Sequence, residues 1–384
     1  MTEVAVSAPV LTWAQRRSGR DDEEIRHKFA EWDEWLAEES SPSFAEVEKI
    51  AEFTRVPLGY FFLPEPPIEE LPIPDLRVGR GQRVAASADL LDTIYLNQRR
   101  QAWYEDYLAD QREPEPLEFV GSAAHWTVSR AAREISAALD YSVAARQRFR
   151  TMDEARAHLV ASFEGLGGLV VLNSMVANNT QRMLDLEEFR GFTLHSLYAP
   201  LVFVNSHDTK NGQVFSLLHE FAHVWRGESG VSQGGDPLHN RSTDTERWCD
   251  AVAAEVAVPT KDLERSFSGS ADLTAELDRL AGRYRCSTLV ILLKLKEAEL
   301  IPTGGFAQVY AEELDRLIHL AGQAPPGGGG DFYNNQPYRI GRTLSRAIVR
   351  DARRGGTSMT EALRLLAFGR IGMFDSYARR LEEG

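Results

Sequence analysis

Val214-Phe215-Ser216-Leu217-Leu218-His219-Glu220-Phe221-Ala222-His223-Val224-Trp225 is apolar nearly all round, which is the composition of a buried helix. On that helix His219 and His223 stand at i and i+4, so both imidazoles lie on one face and can reach one metal ion. Glu220 lies beside them, placed to hydrogen-bond a metal-bound water and take its proton. The pattern predicts the working end of a zinc-dependent hydrolase. The alternative is a pair of core histidines bonded to carbonyls, because two buried imidazoles need partners in either case.

A catalytic zinc usually keeps three protein ligands, so a third is sought downstream. Glu246-Arg247-Trp248-Cys249-Asp250 leads into the small apolar run Ala251–Val258 and stops at Pro259. This second helix also reads as buried, and a buried carboxylate requires a cation or a metal. Glu246 and Asp250 share one face, so Glu246 can complete the site while Asp250 orients a ligating imidazole from behind. Glu255 is the rival ligand, more than two turns beyond Glu246 and off the Asp250 face. Cys249 lies between the acids and reads as a small core residue, with contact to the metal as the alternative.

The two helices, with the lead-in Phe192-Thr193-Leu194 and Pro200-Leu201-Val202-Phe203-Val204-Asn205, resemble the metallopeptidases of the ImmA/IrrE type over roughly residues 150–300. The resemblance implies Zn2+ held by His219, His223 and Glu246, with Glu220 as general base. It also implies a narrow protein substrate, often a transcriptional repressor or an antitoxin. Manganese or iron could occupy the same nitrogen and oxygen donors.

The chain has 384 residues, 43% hydrophobic and 26% charged, which predicts two or three soluble globular domains. It holds no apolar run of about 18 residues and no charged-then-apolar leader, and cytoplasmic residence without membrane contact is expected. Two cysteines, Cys249 and Cys286, make no disulfide framework. A net charge of −14 argues against a chain that coats nucleic acid, while leaving room for a local basic patch.

The fold class expected is α+β and mostly helical. It comprises an N-terminal five-helix Xre-like unit, a zincin-like core with a small sheet and the HExxH helix, and a C-terminal helical unit. Residues 1–64 read as short helices: Val10–Arg17, a second from Asp21 with helix formers continuing through Leu36, and a third carrying Phe44, Val47, Ile50 and Phe53. The layout resembles an Xre/Cro-type helix-turn-helix domain, which often precedes an ImmA/IrrE-type peptidase. Where a recognition helix should lie, Ala30–Glu39 offers five acids and no base, whereas a major-groove helix needs cationic and amide side chains. With seven Lys/Arg against thirteen Asp/Glu, residues 1–64 read as a protein-contact module rather than a DNA reader.

Residues 65–84 are rich in proline and predict a stiff linker. A helical region runs to about Gly165, interrupted at Pro114 and Pro116, and residues 85–302 as a whole are read as the peptidase domain. Its lone histidines, His125 and His158, read as structural. Strands are predicted at Gly167–Leu172, Phe189–His195 and Leu201–Asn205, a short sheet with which an extended peptide could pair. His195, Tyr198 and His239 are candidates to stabilise the oxyanion, with nothing to choose among them. Gly227–Asp244 reads as a mobile loop. Helices follow at Leu273–Tyr284 and at Ser287–Glu297, where Ser287 is the cap.

Pro325–Gly330 reads as a flexible joint. Beyond it residues 331–384 hold ten Arg and six Asp/Glu, with helices at Ile340–Arg353 and Ser358–Ala367. This basic unit is the candidate nucleic-acid contact, the alternative being an ordinary solvated surface.

Overall fold

The computed structural model describes residues 3–76, 86–111, 113–232, 243–269, 272–323 and 332–383. The chain is mostly helical with one small sheet, and it divides into two compact units. One comprises Met1–Pro72 with Val84–Asp92, the other Ile73–Arg83 with Thr93–Gly384.

In the first unit four α-helices, Ala8–Ser18, Asp22–Lys28, Trp32–Leu36 and Phe44–Thr54, precede a 3₁₀ turn at Leu58–Phe62. Asp21 and Ser43 each close a capping box with Glu24 and Glu46. The helix begun at Asp22 does not run on to Leu36 as the sequence suggested. Phe29 is extended and buried, and it turns the chain so that Trp32 and Trp35 also enter the core. Phe29, Trp32 and Trp35 lie about one ring apart, with centroids 6.1–6.2 Å from one another. Burial of three large rings outweighs helix propensity here.

In the second unit the sheet has order β1-β3-β2-β4, with β1 Leu169–Asn173, β2 Gly191–Leu194, β3 Leu201–Asn205 and β4 Gly230–Ser232. β1 runs parallel to β3, and β2 is antiparallel to both β3 and β4. All four strands are fully buried, which explains their continuous apolar runs. β4 falls inside the segment read as a mobile loop, of which residues 233–242 lie outside the described residues. Three residues of Gly-Val-Ser carry no alternation from which a strand could be read.

At the end of the described part of the proline-rich stretch, read as a stiff linker, Leu76 N–H donates to Val231 O at 3.2 Å and Val231 N–H donates to Pro74 O at 3.0 Å, along the outer edge of β4. At the other edge the chain at Gly341 comes so close to β1 that a Cβ there would lie 2.7 Å from Val170 O. The β4 edge is thus paired by residues 74–76 of this chain, and the β1 edge is approached closely at Gly341.

The helix Lys210–Arg226 packs on β2 and β3, and against it lie Asp244–Ala257, Val128–Ala138 and Met152–Gly165. Thr209 caps the first of these and Thr243 the second, each accepting a backbone N–H. Buried Arg146 donates to the carbonyls of Tyr141, Val256, Ala257 and Tyr284, tying the end of the Asp244–Ala257 helix to its neighbours. The helix Phe306–Gln323, which the sequence reading did not assign, seats Phe306 in the same core. Residues 332–383 add four helices, Phe332–Arg339, Arg342–Arg354, Met359–Leu366 and Ile371–Glu383, within this second unit. The joint read at Pro325–Gly330 lies outside the described residues. No helix among the described residues is long and apolar enough to cross a membrane.

Candidate metal centre

The helix Lys210–Arg226 buries the whole stretch from Ser216 to Trp225, and His219, Glu220 and His223 are 4%, 1% and 0% exposed. Glu246, 4% exposed, enters from the first turns of Asp244–Ala257. The two Nε2 atoms of His219 and His223 are 3.1 Å apart. Glu246 places Oε2 3.4 Å from His219 Nε2 and Oε1 2.9 Å from His223 Nε2. A tetrahedral ion with bonds of about 2.0–2.1 Å spaces its ligands by about 3.3 Å, and the two Nε2 atoms and the Glu246 carboxylate converge at separations of that order, one donor atom from each residue lying within 4.8 Å of the others.

Asp250 settles the orientation of one ring. Its Oδ1 lies 2.8 Å from His219 Nδ1, and a carboxylate partner makes that nitrogen the donor, leaving the Nε2 lone pair turned toward the cluster. Glu246 Oε1 is buried and accepts no well-directed hydrogen bond, and His223 Nδ1 is likewise buried without a partner. Burial works against the protonation of His219, yet the Glu246 and Asp250 carboxylates hold its pKa well above the ordinary imidazole value. Burial also pushes the Glu246 carboxyl up, but His219 and His223 outweigh it and bring the pKa down to about 2. The cluster therefore calls for positive charge where its donor atoms converge, and a divalent cation fits. His219, His223 and Glu246 are the group of possible metal ligands found among the described residues.

Glu220 is held from the sheet. Thr193 Oγ1 donates to Glu220 Oε2 at 2.8 Å, and Thr193 is fully buried on β2. A Cβ at Gly191 would lie 2.7 Å from Glu220 Oε1 and 2.8 Å from Phe203 O, so only glycine leaves room for this carboxylate. Burial raises the Glu220 pKa, against the lowering pull of His219 and His223. Neither Thr193 nor Gly191 was singled out from the sequence. Their spacing places both on the same face of β2, but nothing local says that Glu220 faces that strand.

The remaining candidates fall elsewhere. Glu255 accepts from Lys294 Nζ at 2.9 Å and from the Thr260 backbone at 3.1 Å, an ion pair remote in function from the imidazoles. Cys249 is buried in the apolar core. His195 and Tyr198 are exposed, and each uses its backbone N–H, to Ser229 Oγ and Ser196 Oγ, without a hydrogen bond to the cluster. His239 lies outside the described residues. His125 is exposed, and His158 bonds the Leu139 carbonyl at 3.0 Å while packing on Phe149.

Comparison with known families gives two matches. Residues 340–380 match a domain of unknown function, DUF8813. No curated protein matches the chain. Residues 169–296, which contain β1–β4, both helices of the cluster and all of its donor atoms, match the family Peptidase_M78, the IrrE N-terminal-like domain. Residues 1–64 lie outside both matches. With that match the convergence of His219, His223 and Glu246 has a context: this part of the chain is an ImmA/IrrE-type peptidase domain of the metallopeptidase kind.

Proposed function

We propose that the protein is a cytoplasmic zinc-dependent endopeptidase that cuts one specific protein partner, a transcriptional repressor or an antitoxin. The observation that supports this most is the convergence of His219 and His223, their Nε2 atoms 3.1 Å apart, on the Glu246 carboxylate, whose two oxygens lie 3.4 Å and 2.9 Å from them, directly beside Glu220. A cation bound there would supply Lewis acidity, making a water nucleophilic near neutral pH and polarising the scissile carbonyl.

The chain's own groups do the rest. Glu220 accepts a proton from the attacking water and returns it to the leaving amine. Thr193 and the gap at Gly191 keep that carboxylate aimed at one place, so its basicity is spent on one proton. Asp250 fixes the ring plane and tautomer of His219. A site whose acting residues are at most 4% exposed is closed to casual substrates, which supports narrow specificity over general digestion. Two buried free cysteines agree with a reducing compartment.

Residues 1–64 are proposed to contact protein rather than DNA, since Glu31, Asp33, Glu34, Glu38 and Glu39 would repel phosphate. The test is expression beside genomic neighbours, with wild type and Glu220→Gln compared by mass spectrometry. A partner cleaved only by the wild type supports the reading. Equal cleavage by both would remove Glu220 as the base.

A further inference from the structure

Outside the candidate metal centre, the second unit carries a linear array of unpaired cations. The helix Arg342–Arg354 turns Leu344, Ile348 and Val349 inward, all buried, and leaves Arg342, Arg346 and Arg350 exposed. Their i, i+4, i+8 spacing sets them about 6 Å apart along the axis, about 12 Å overall, within a sector of about 80°. Of the other arginines nearby, Arg353 pairs with Glu382 and Arg364 with Glu361 at 3.6 Å, while exposed Arg354 closes the helix outside any ion pair among the described residues. Asp351, the one acid on this helix, accepts from Thr357 Oγ1 at 2.6 Å. Among the described residues, Arg342, Arg346 and Arg350 make no ion pair. Three aligned guanidinium groups outside any ion pair, with the Glu164 carboxylate near Arg342 as a counter-charge, form a local positive surface in a chain of net charge −14.

From this we infer that the Arg342–Arg346–Arg350 stripe is a docking surface for the phosphate backbone of duplex nucleic acid. The cations are all arginine, and the planar fork of a guanidinium matches a phosphate in two parallel hydrogen bonds. A protein partner would want an apolar anchor at the centre of its interface, and the large apolar side chains of this helix face inward. The helix bears no aromatic residue on which an unstacked base could lie, which favours duplex over single strands. It presents no amide side chain to read base edges either, so contact is with the backbone and independent of sequence. This inference does not depend on the peptidase reading.

The test uses the full-length protein and random-sequence duplex DNA, followed by fluorescence anisotropy across a salt series, with duplex RNA as a second probe. Three phosphate contacts predict that log K falls with log salt at a slope of about −2.7. Replacing all three residues together, Arg342→Gln, Arg346→Gln and Arg350→Gln, should weaken binding at low salt at least tenfold and flatten the slope. The matching triple Arg→Lys variant should keep the slope, because charge is preserved, and circular dichroism should report an unchanged fold for both. Absence of wild-type binding at low salt, or equal binding by the Gln variant, overturns the inference. Binding of polyglutamate as tight as that of DNA would also overturn it, by assigning the surface to an acidic protein.

Discussion

At the scale of single residues the chemistry turns on which carboxylate faces which ring. Glu246 lies against both imidazoles, whereas Glu255 is committed to Lys294 and Thr260. Glu246→Ala is therefore expected to abolish most metal occupancy in elemental analysis of the purified protein, and Glu255→Ala to leave it intact. Asp250→Ala should act more mildly, about 10–100-fold in affinity, because His219 loses its orienting partner and not its donor atom. Glu220→Gln should retain fold and metal while losing cleavage, since only the proton acceptor is removed. Gly191→Ala tests the seat of that carboxylate. The added methyl would have to displace Glu220 or the Phe203 carbonyl. Its expected signature is loss of cleavage with metal content near wild type, and unimpaired cleavage would refute the close approach. The HExxH spacing made His219, Glu220 and His223 readable in the sequence, because helical periodicity is local. Gly191 and Thr193 were not readable, because they meet Glu220 across about 30 residues of chain.

Among elements, the Asp244–Ala257 helix is held at its two ends by different means. Near its start Glu246 joins it to the histidine helix, and at its end four carbonyls converge on Arg146. Arg146→Met should leave these buried acceptors unsatisfied and destabilise the protein by about 3–5 kcal/mol in denaturant titration, at about 1–3 kcal/mol per orphaned group for those that cannot re-pair. A change within 0.5 kcal/mol, roughly the scatter for surface sites, would contradict that account. The edge of β4 offers a second test. Leu76 covers Gly230, and residues 74–76 bond both polar groups of Val231. Leu76→Asp should loosen this cover and speed hydrogen exchange at the Val231 amide about tenfold or more. An unchanged exchange rate would show that the segment does not protect the edge. If a substrate strand uses this edge, it must displace residues 74–76 first.

For the whole molecule, the second unit includes the C-terminal helices as part of its packing. Arg100, 2% exposed, donates to the Leu365 carbonyl, and burial lowers its pKa to about 10. Trp103 Nε1 donates to Thr357 at 2.9 Å, and Asn178 bonds both the Gln336 side chain and the Ala367 carbonyl. Deletion of residues 331–384 should therefore bare the β1 edge and the buried guanidinium, and a lower melting temperature or insolubility is expected on comparison with the full chain. An unaltered melting temperature would mean that these helices fold apart from the peptidase domain. What the sequence determined by itself was whatever depends on near neighbours along the chain. This covers the histidine helix, the cap at Ser287, three of the four strands and the mostly helical class. Periodicity and capping act over a few residues, so they leave a local record. The tertiary structure alone decided the turn at Phe29, the three-residue β4, the burial of Arg146 and Arg100, and what lies along both sheet edges. Each depends on partners tens to hundreds of residues away, and no local pattern encodes which distant carbonyl, ring or edge a side chain will meet.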